Sequence, residues 1–238
     1  MKIAIIGYGK MGKAIEEIAL ERGHTVNLKI SSTNIEDLNT ANLKEIDVAI
    51  EFSRPENAIK NIECCLNNET PIVIGTTGWY DDFDRIEKLC AAKATSLLAA
   101  TNFSVGVNLF FELNQKLAQL MSNRNEYQAS LEEIHHTEKL DSPSGTAITL
   151  AEGILKIHPN YQEWKNEIST QKKLLPILSV REQNVPGTHE VTFESTIDSI
   201  QIKHTAKNRK GFALGAVLAA EYIYNKKGVF TMKEVLNF

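Results

Sequence analysis

Short apolar runs alternate with segments of helical apolar spacing over the first hundred residues. Three segments carry apolar positions three and four apart and predict helices: Lys10–Arg22, Pro55–Asn67 and Asp81–Ala92. Five runs rich in aliphatic and β-branched residues predict strands: Lys2–Ile6, Thr25–Ile30, Asp47–Phe52, Pro71–Ile74 and Ser96–Ala100. Strands that alternate with helices are typical of a parallel sheet covered on both faces, so this part of the chain is predicted to be α/β.

The pattern changes after this region. Two further segments predict helices, Val107–Ser122 and Thr146–Lys156. Four segments predict strands with few helices between them: Tyr127–His135, Ile177–Val180, Glu190–Ser195 and Ser199–His204. That order favours a mixed sheet in a second, α+β domain. A last apolar helix, Phe212–Tyr224, is expected to pack on the first domain. The expected domains are therefore 1–104 with 212–238, and 105–211.

Composition and charge narrow the class of protein. The formal net charge is −4, which offers no overall attraction for nucleic acid. No apolar stretch approaches the roughly 20 residues that cross a bilayer, and the chain opens without the basic segment and cleavage site of a classical export signal. The three cysteines, Cys64, Cys65 and Cys90, lack metal-binding spacing and suit reduced thiols. We expect a cytoplasmic protein that binds neither nucleic acid nor membrane.

A glycine pattern joins the first predicted strand to the first helix. Gly7, Gly9 and Gly12, separated by Tyr8 and by Lys10-Met11, form G-x-G-x-x-G. The first glycine allows a tight turn, the second lets the backbone approach a pyrophosphate, and the third allows close packing of helix on strand. This position predicts a Rossmann-like dinucleotide site, although the bare pattern also fits a purely structural turn.

The residues after the second predicted strand bear on the choice of nicotinamide cofactor. An acid that would bind the ribose 2′-hydroxyl is missing from Lys29–Ser32, and the first acid after it is Glu36. Hydroxyls such as that of Ser31, with Lys10 and Lys29, would tolerate a 2′-phosphate. We therefore expect NADPH in preference to NADH; the alternative is that both lysines are solvated surface residues.

The densest chemistry lies between Glu133 and Ala147. His135, His136 and Lys139 end a predicted strand and enter a loop, which brings titratable groups and a cation together. Pro143–Ala147 then opens a helix whose free amides, with the hydroxyls of Ser144 and Thr146, suit a carboxylate. This combination fits an anionic substrate that undergoes proton transfer.

Three less specific explanations apply to the same residues. The histidines could be structural, and Ser-Gly-Thr could be only a helix cap. A metal site formed by His135, His136 and Glu138 is the third. We expect no metal, because adjacent histidines on a strand point to opposite faces and no second ligand cluster has suitable spacing.

Several motifs, in order along nearly the whole chain, resemble the dihydrodipicolinate reductase family, also called 4-hydroxy-tetrahydrodipicolinate reductases. They are Gly7–Gly12, Glu51–Ser53, Gly75–Gly78, Thr101–Asn108 and Glu133–Ala147. The resemblance implies a Rossmann-like cofactor domain and an α+β domain that binds substrate and forms a homotetramer. It also implies hydride transfer from NAD(P)H to the ring of a small cyclic dicarboxylate in diaminopimelate and lysine biosynthesis, followed by protonation of the adjacent ring carbon.

The same resemblance implies roles for individual residues. His135 corresponds to the catalytic histidine and Lys139 to the proton donor. His136, Gly145 and Thr146 correspond to contacts with the substrate carboxylates, near Ser144 of the predicted anion pocket. The implied cofactor contacts are Gly7, Tyr8, Gly9, Lys10, Met11, Gly12, Gly75, Thr76, Thr77, Thr101, Asn102, Phe103 and Ser104, to which the residue pattern adds Ser31.

The chain departs from the family pattern in three places. The segment Ser31–Glu45 is short, the acid after the second strand is missing, and Gln183 stands where glycine is expected. Arg209 could bind an anion, with a solvated surface as the alternative. A second hypothesis is a sensor that binds NAD(P)H without catalysis. A semialdehyde dehydrogenase is disfavoured because no cysteine lies at a strand-to-helix turn.

Overall fold

The computed structural model describes residues 1–169, 171 and 173–238. They form two compact units. The first unit comprises Met1–Val105 and Arg209–Phe238, and the second comprises Gly106–Asn208. The chain thus leaves the first unit once and returns to it with its last thirty or so residues.

The first unit contains a six-stranded parallel sheet. Its strands are β1 (Lys2–Ile6), β2 (Thr25–Ile30), β3 (Val48–Glu51), β4 (Ile72–Ile74), β5 (Ser96–Ala99) and β11 (Gly228–Phe230), in the order β11-β5-β4-β3-β1-β2. Its helices are α1 (Lys10–Glu21), α2 (Thr40–Leu43), α3 (Pro55–Asn67), α4 (Phe83–Ala92), α7 (Lys210–Ile223) and α8 (Met232–Leu236).

Both faces of β1, β3, β4 and β5 are largely buried, which explains why these strands read as continuous apolar runs, whereas β2 is partly exposed. Alternate residues of β1 enter different core layers: Ile3 and Ile5 pack with α1 and α7. Ala4 and Ile6 pack with α3 and α4 on the other face. Because β1, β3 and β4 pair in parallel, their carboxyl ends lie at one edge of the sheet, where ligands bind in parallel sheets.

The second unit is built on a five-stranded mixed sheet. Its strands are β6 (Gln128–His135), β7 (Glu163–Lys165), β8 (Leu174–Arg181), β9 (Thr188–Glu194) and β10 (Ser199–Thr205), in the order β10-β9-β6-β8-β7. Strand β9 is antiparallel to β6 and β10, whereas β8 is parallel to β6. Helices α5 (Val105–Met121) and α6 (Gly145–Leu155) cover one face through Phe110 and Leu150.

The predicted fold class, a Rossmann-like parallel sheet with a second mixed sheet, is confirmed. The sequence pattern missed α2, β7, β11 and α8. Each of the two strands has only three residues, too few for a periodic signal, and all of β11 is half-buried. Within the described residues, no helix is both long and apolar enough to cross a membrane.

Candidate active site

Two of the three glycines in the glycine loop of the first unit leave no room for a side chain. Gly7 adopts a φ of 94°, and a Cβ there would lie 2.1 Å from the carbonyl oxygen of Phe52. A Cβ on Gly12 would lie 2.6 Å from the carbonyl oxygen of Gly7. At Gly9, by contrast, a Cβ would meet nothing within 4 Å. The first and third glycines therefore shape the loop, and the second leaves open space for a ligand.

A cavity of about 600 Å³ opens beside this loop in the first unit. Its walls come from the ends of β1, β2 and β3 and from the start of α3. Of the predicted cofactor residues, Gly7, Tyr8, Gly9 and Ser31 line it. The full lining is Ile6, Gly7, Tyr8, Gly9, Ile30, Ser31, Ser32, Ile35, Phe52, Ser53, Arg54, Asn57 and Asn61. No carboxylate is among them, and Arg54, which sequence analysis did not single out, is the cation.

Two other predicted cofactor segments lie near the end of β3. A Cβ on Gly75 would lie 2.2 Å from the Phe52 ring, and the buried Thr76 hydroxyl accepts a hydrogen bond from the Ser53 amide at 2.8 Å. Thr77 follows in the same loop. In the segment after β5, the Phe103 ring is buried 5.5 Å from that of Phe52. These segments are thus packed around the residues that line the cavity.

The remaining residues of that second segment lie beside Phe103. Thr101 is exposed, and the Asn102 side chain accepts a hydrogen bond from the Ser104 amide at 2.9 Å. Lys10, Met11 and Gly12 begin α1 and do not line the cavity.

Lys29 has a different environment from the one predicted. Its ammonium group lies 2.5 Å from the carboxylate of Glu16 and 5.3 Å from the centre of the Tyr8 ring. The Tyr8 hydroxyl donates to the same carboxylate. The Lys29 contact, followed by that of Tyr8, lowers the pKa of Glu16. Lys29 is therefore engaged by Glu16 and does not line the cavity, in contrast to Arg54.

The second unit places a row of polar side chains across its sheet. Glu133 on β6 pairs in register with His189 on β9 and with Ser179 on β8, and His189 pairs with His204 on β10. Residues that pair directly across strands share a face of the sheet. Glu133 is completely buried, so the centre of this row is a carboxylate inside the protein.

Contacts with neighbouring polar groups compensate for the burial of Glu133. The Ser144 amide lies 3.1 Å from each carboxylate oxygen, Arg181 Nη1 lies 3.5 Å from Oε1, and His135 Nδ1 lies 3.3 Å from Oε2. Burial by itself would raise the pKa of Glu133, but the polar groups of His135, Ser144 and Ser179 outweigh it and hold this pKa well below its usual range. Glu133 is therefore a buried anion at neutral pH.

His189, next to Glu133 in the row, is uncharged at neutral pH. Burial first, and then the charge of His135, lower the pKa of His189 to about 4. Its Nε2 lies 3.1 Å from the Ser144 hydroxyl, which also accepts the Ala147 amide at 3.2 Å. We assign the hydroxyl proton to the His189 Nε2 acceptor, because the hydroxyl already accepts from Ala147. Ser144 is therefore the N-cap of α6, and its polar atoms have partners within the protein.

The other predicted substrate residues lie on the loop between β6 and α6 and at the start of α6. The Lys139 ammonium lies 2.8 Å from both carboxylate oxygens of Asp141. The carbonyl of the half-buried His136 accepts the Lys139 amide at 3.1 Å. Gly145 is exposed, with nothing within 4 Å of an added Cβ, and Thr146 follows it in the first turn. A cation, an imidazole and a helix start are thus on one short segment.

The structure groups different potential metal ligands from those predicted. His136 and Glu138 do not join His135; instead Glu133, His135 and His189 bring ligand atoms within 4.8 Å of one another. The sequence pattern does not indicate Glu133, Arg181 and His189 as site residues, because only the register of β6 with β8 and β9 brings them together. The Ser144 amide and Arg181 supply charge compensation to Glu133 from the protein itself.

Two family models match the chain in succession. The model of the dihydrodipicolinate reductase N-terminus matches residues 1–103, and that of its C-terminus matches residues 106–236. The chain belongs to the dihydrodipicolinate reductase family. Members of this family are NAD(P)H-dependent oxidoreductases with an N-terminal dinucleotide-binding domain.

Curated relatives agree with this membership over the whole length. The chain is 52% identical over 239 residues to a 4-hydroxy-tetrahydrodipicolinate reductase of Christiangramia forsetii, covering 100% of this chain and 98% of the relative. It is 32% identical to the enzyme of that name from Neisseria meningitidis serogroup A, covering 99% and 97%. A dipicolinate-bound dihydrodipicolinate reductase from Paenisporosarcina sp. TG-14 shares the fold, with a TM-score of 0.77 at 24% identity and 98% coverage of both chains.

Gln183, where the family pattern has glycine, lies in the turn between β8 and β9. Two residues of the turn have a positive φ: Asn184 at 62°, a residue type that tolerates that conformation, and Gly187 at 156°. At Gly187, a Cβ would lie 3.0 Å from His135 Nε2. The glycine that the site needs is therefore Gly187, which is retained, and Gln183 occupies an ordinary turn position.

Proposed function

We propose that this chain is a 4-hydroxy-tetrahydrodipicolinate reductase whose proton-transfer site is the loop between β6 and α6. The observation that carries the proposal is the arrangement around Glu133: one buried carboxylate holds both the start of α6 and His135, next to the loop that bears Lys139. The reaction belongs to diaminopimelate and lysine biosynthesis. When bound, NAD(P)H supplies a hydride to the substrate ring.

The substrate carboxylates are bound by the start of α6 and by His136. The amides of Gly145 and Thr146 lie in the first helical turn, where the backbone presents N–H groups and the positive end of the helix dipole. The open space at Gly145 lets an anion approach the backbone. Ser144 supports this pocket as the helix cap, since its own hydroxyl is engaged by His189 and Ala147.

Proton transfer is assigned to Lys139, and His135 is the second catalytic residue. A lysine ammonium carries a proton at neutral pH and stabilises negative charge that develops on the ring. Its partner Asp141 is 60% exposed, so solvent screens that ion pair and substrate can displace it at little cost. His135 lies between Glu133 and Gly187, which fixes the orientation of its imidazole ring.

The finer cofactor preference that we propose is for NADPH. The cavity beside the glycine loop presents the hydroxyls of Ser31 and Ser32 and the guanidinium of Arg54, and none of its lining residues is acidic. An acid there would bind the ribose 2′-hydroxyl and repel a 2′-phosphate, whereas Arg54 attracts one. The expected cofactor contacts remain those of the glycine loop, of Ser31, and of the loops at Gly75–Thr77 and Thr101–Ser104.

We assign each unit the role that membership of the family implies. The first unit is the dinucleotide-binding domain, and the second binds substrate and forms a homotetramer in the cytoplasm. Leu178 on β8 supports an interface on the second sheet, because it remains 38% exposed on the face opposite the buried Ile177. Light scattering on the purified protein is expected to give four times the chain mass of 26.6 kDa; the mass of a monomer would contradict the assembly.

The function is tested with purified protein, 4-hydroxy-tetrahydrodipicolinate and NADPH or NADH, by following the loss of nicotinamide absorbance. We expect turnover, inhibited by dipicolinate in competition with the substrate. Cofactor binding without oxidation would favour the sensor hypothesis over the reductase.

A further inference from the structure

The loop of residues 136–144 is anchored by two groups that have no predicted role, Glu133 and Arg181. At the end of the loop, both carboxylate oxygens of Glu133 accept the Ser144 amide at 3.1 Å. In the middle of the loop, Arg181 donates from Nη2 to the carbonyl of Asp141 at 2.7 Å and from Nε towards that of Lys139 at 3.4 Å. The two anchors approach each other at 3.5 Å between Nη1 and Oε1.

We propose that Glu133 and Arg181 form a clamp that positions Lys139 for proton transfer. Both are positioning residues, because they act on the loop backbone and on Lys139 only through it. The proposal rests on the proposed function in so far as Lys139 is taken to be the proton donor. It adds two residues on neighbouring strands, β6 and β8, to the requirements of the reaction.

The chemistry of the two side chains suits this task. A guanidinium group is planar and presents five N–H donors in a fixed fork, so Arg181 can hold two loop carbonyls and face a carboxylate at once. Glu133 is fully buried, whereas 22% of the Arg181 side chain is exposed, which gives the clamp a fixed inner anchor. The exposed pair between Lys139 and Asp141 is too weak to set the position of the loop by itself.

The clamp also explains why buried charge is placed beside a loop. Removing one member leaves the other charged and without its partner, which is costly in a buried site. The strands that carry the clamp are paired along their length, from Leu131 opposite Ile177 to His135 opposite Arg181. The clamp thus ties the loop to the rigid sheet. Such rigidity matters because a misplacement of the proton donor by about 1 Å can lower the rate about 100-fold.

The experiment compares Arg181→Lys and Glu133→Gln with two matched controls in the same unit. Glu132→Gln removes a carboxylate from the opposite face of β6, and Arg124→Lys changes an exposed arginine. Hydrogen exchange is measured over residues 136–144 and over β6 and β9, together with kcat, KM for substrate and Kd for NADPH. We expect loop exchange to rise at least about fivefold in both clamp variants, with kcat reduced by about 10- to 100-fold.

The controls and the Kd for NADPH are expected to stay within about twofold of the parent. A double variant, Glu133→Gln with Arg181→Lys, is expected to lose no more activity than the worse single variant, because both changes release the same loop. Addition of methylguanidinium to an Arg181→Ala variant is expected to restore part of kcat, which a general loss of folding would not allow.

Unchanged exchange over residues 136–144 in both variants would overturn the clamp, as would exchange that rises equally in β6 and β9. If the parent itself does not oxidise NADPH with substrate, the proposed function fails, whereas the exchange comparison still decides whether the clamp holds the loop.

Discussion

The glycine loop of the first unit and the loop of residues 136–144 in the second unit are built on opposite principles. The first takes its shape from missing side chains: a Cβ on Gly7 would lie 2.1 Å from a backbone oxygen, and Gly9 faces open space. The second takes its shape from charge, through the buried Glu133 and the guanidinium of Arg181. The difference indicates that the proposed cofactor site is set by backbone geometry, whereas the proposed proton-transfer site is set by fixed charges.

The largest expected loss of stability comes from a substitution in the glycine loop. Gly7→Ala is expected to destabilise the first unit by about 3 kcal/mol or more, because the added Cβ overlaps backbone atoms and the residue has a φ of 94°. Gly9→Ala, the matched control, is expected to change stability by less than about 0.5 kcal/mol. Denaturant unfolding measures both changes. Equal losses in the two variants would show that the loop is not shaped as described.

Gly9→Ala separates binding from folding. Its methyl group would enter the open space where we propose that the backbone approaches the pyrophosphate, so the Kd for NADPH is expected to rise by at least about tenfold while the unfolding curve is unchanged. A fluorescence titration of NADPH checks this. An unaltered Kd would place the cofactor elsewhere.

The charged groups that hold the loop of residues 136–144 are tested by the pH dependence of stability, through His189 on β9. Because the pKa of His189 is lowered to about 4 in the folded protein, its unfolded form binds a proton first as the pH falls below about 6.5. Stability is therefore fully present above that pH and is lost as the pH falls towards 4. Between pH 7.5 and pH 5 we expect a loss of about 2 kcal/mol from this group.

The matched variant for this measurement is His189→Gln, whose amide oxygen can still accept the Ser144 hydroxyl. Urea unfolding of both proteins at the two pH values isolates the contribution of the imidazole. A parent and a variant that lose the same stability between pH 7.5 and pH 5 would show that His189 is not held in its neutral form.

The smallest expected effect concerns cofactor choice. Arg54→Gln is expected to lower the ratio of kcat/KM for NADPH to that for NADH by about five- to tenfold, since Arg54 lines the cavity. Lys29→Gln is expected to leave the ratio nearly unchanged, because Glu16 already engages Lys29. The opposite ranking of the two variants would return the role to Lys29.

The residues of the glycine loop were easier to predict from the sequence than those around Glu133, for a physical reason. The spacing of Gly7, Gly9 and Gly12 is a local signal, and the strand before it, Lys2–Ile6, is apolar because both of its faces are buried. Residues that act through long-range pairing leave no such signal. Arg181 lies 48 positions from Glu133, and His189 lies 45 from Ser144, so their roles appear only once the register of β6 with β8 and β9 is known.

Side-chain pairing also decided what the cofactor residues can do. Lys29 and Arg54 are both basic and close to strand ends, but the structure shows that the Lys29 ammonium contacts the Glu16 carboxylate, whereas Arg54, 3.9 Å from Glu56, lines the cavity. Likewise the Ser144 hydroxyl, predicted to face substrate, is turned to His189 and Ala147.

A single-turnover comparison of the parent with Lys139→Ala tests most directly whether proton transfer resides on the charged loop and cofactor binding on the glycine loop. With Lys116→Ala as the exposed control, we expect NADPH to bind all three proteins with the same Kd and its oxidation to slow by about 100-fold or more only in Lys139→Ala. Oxidation at the parental rate in Lys139→Ala, or loss of NADPH binding in that variant, would contradict the account.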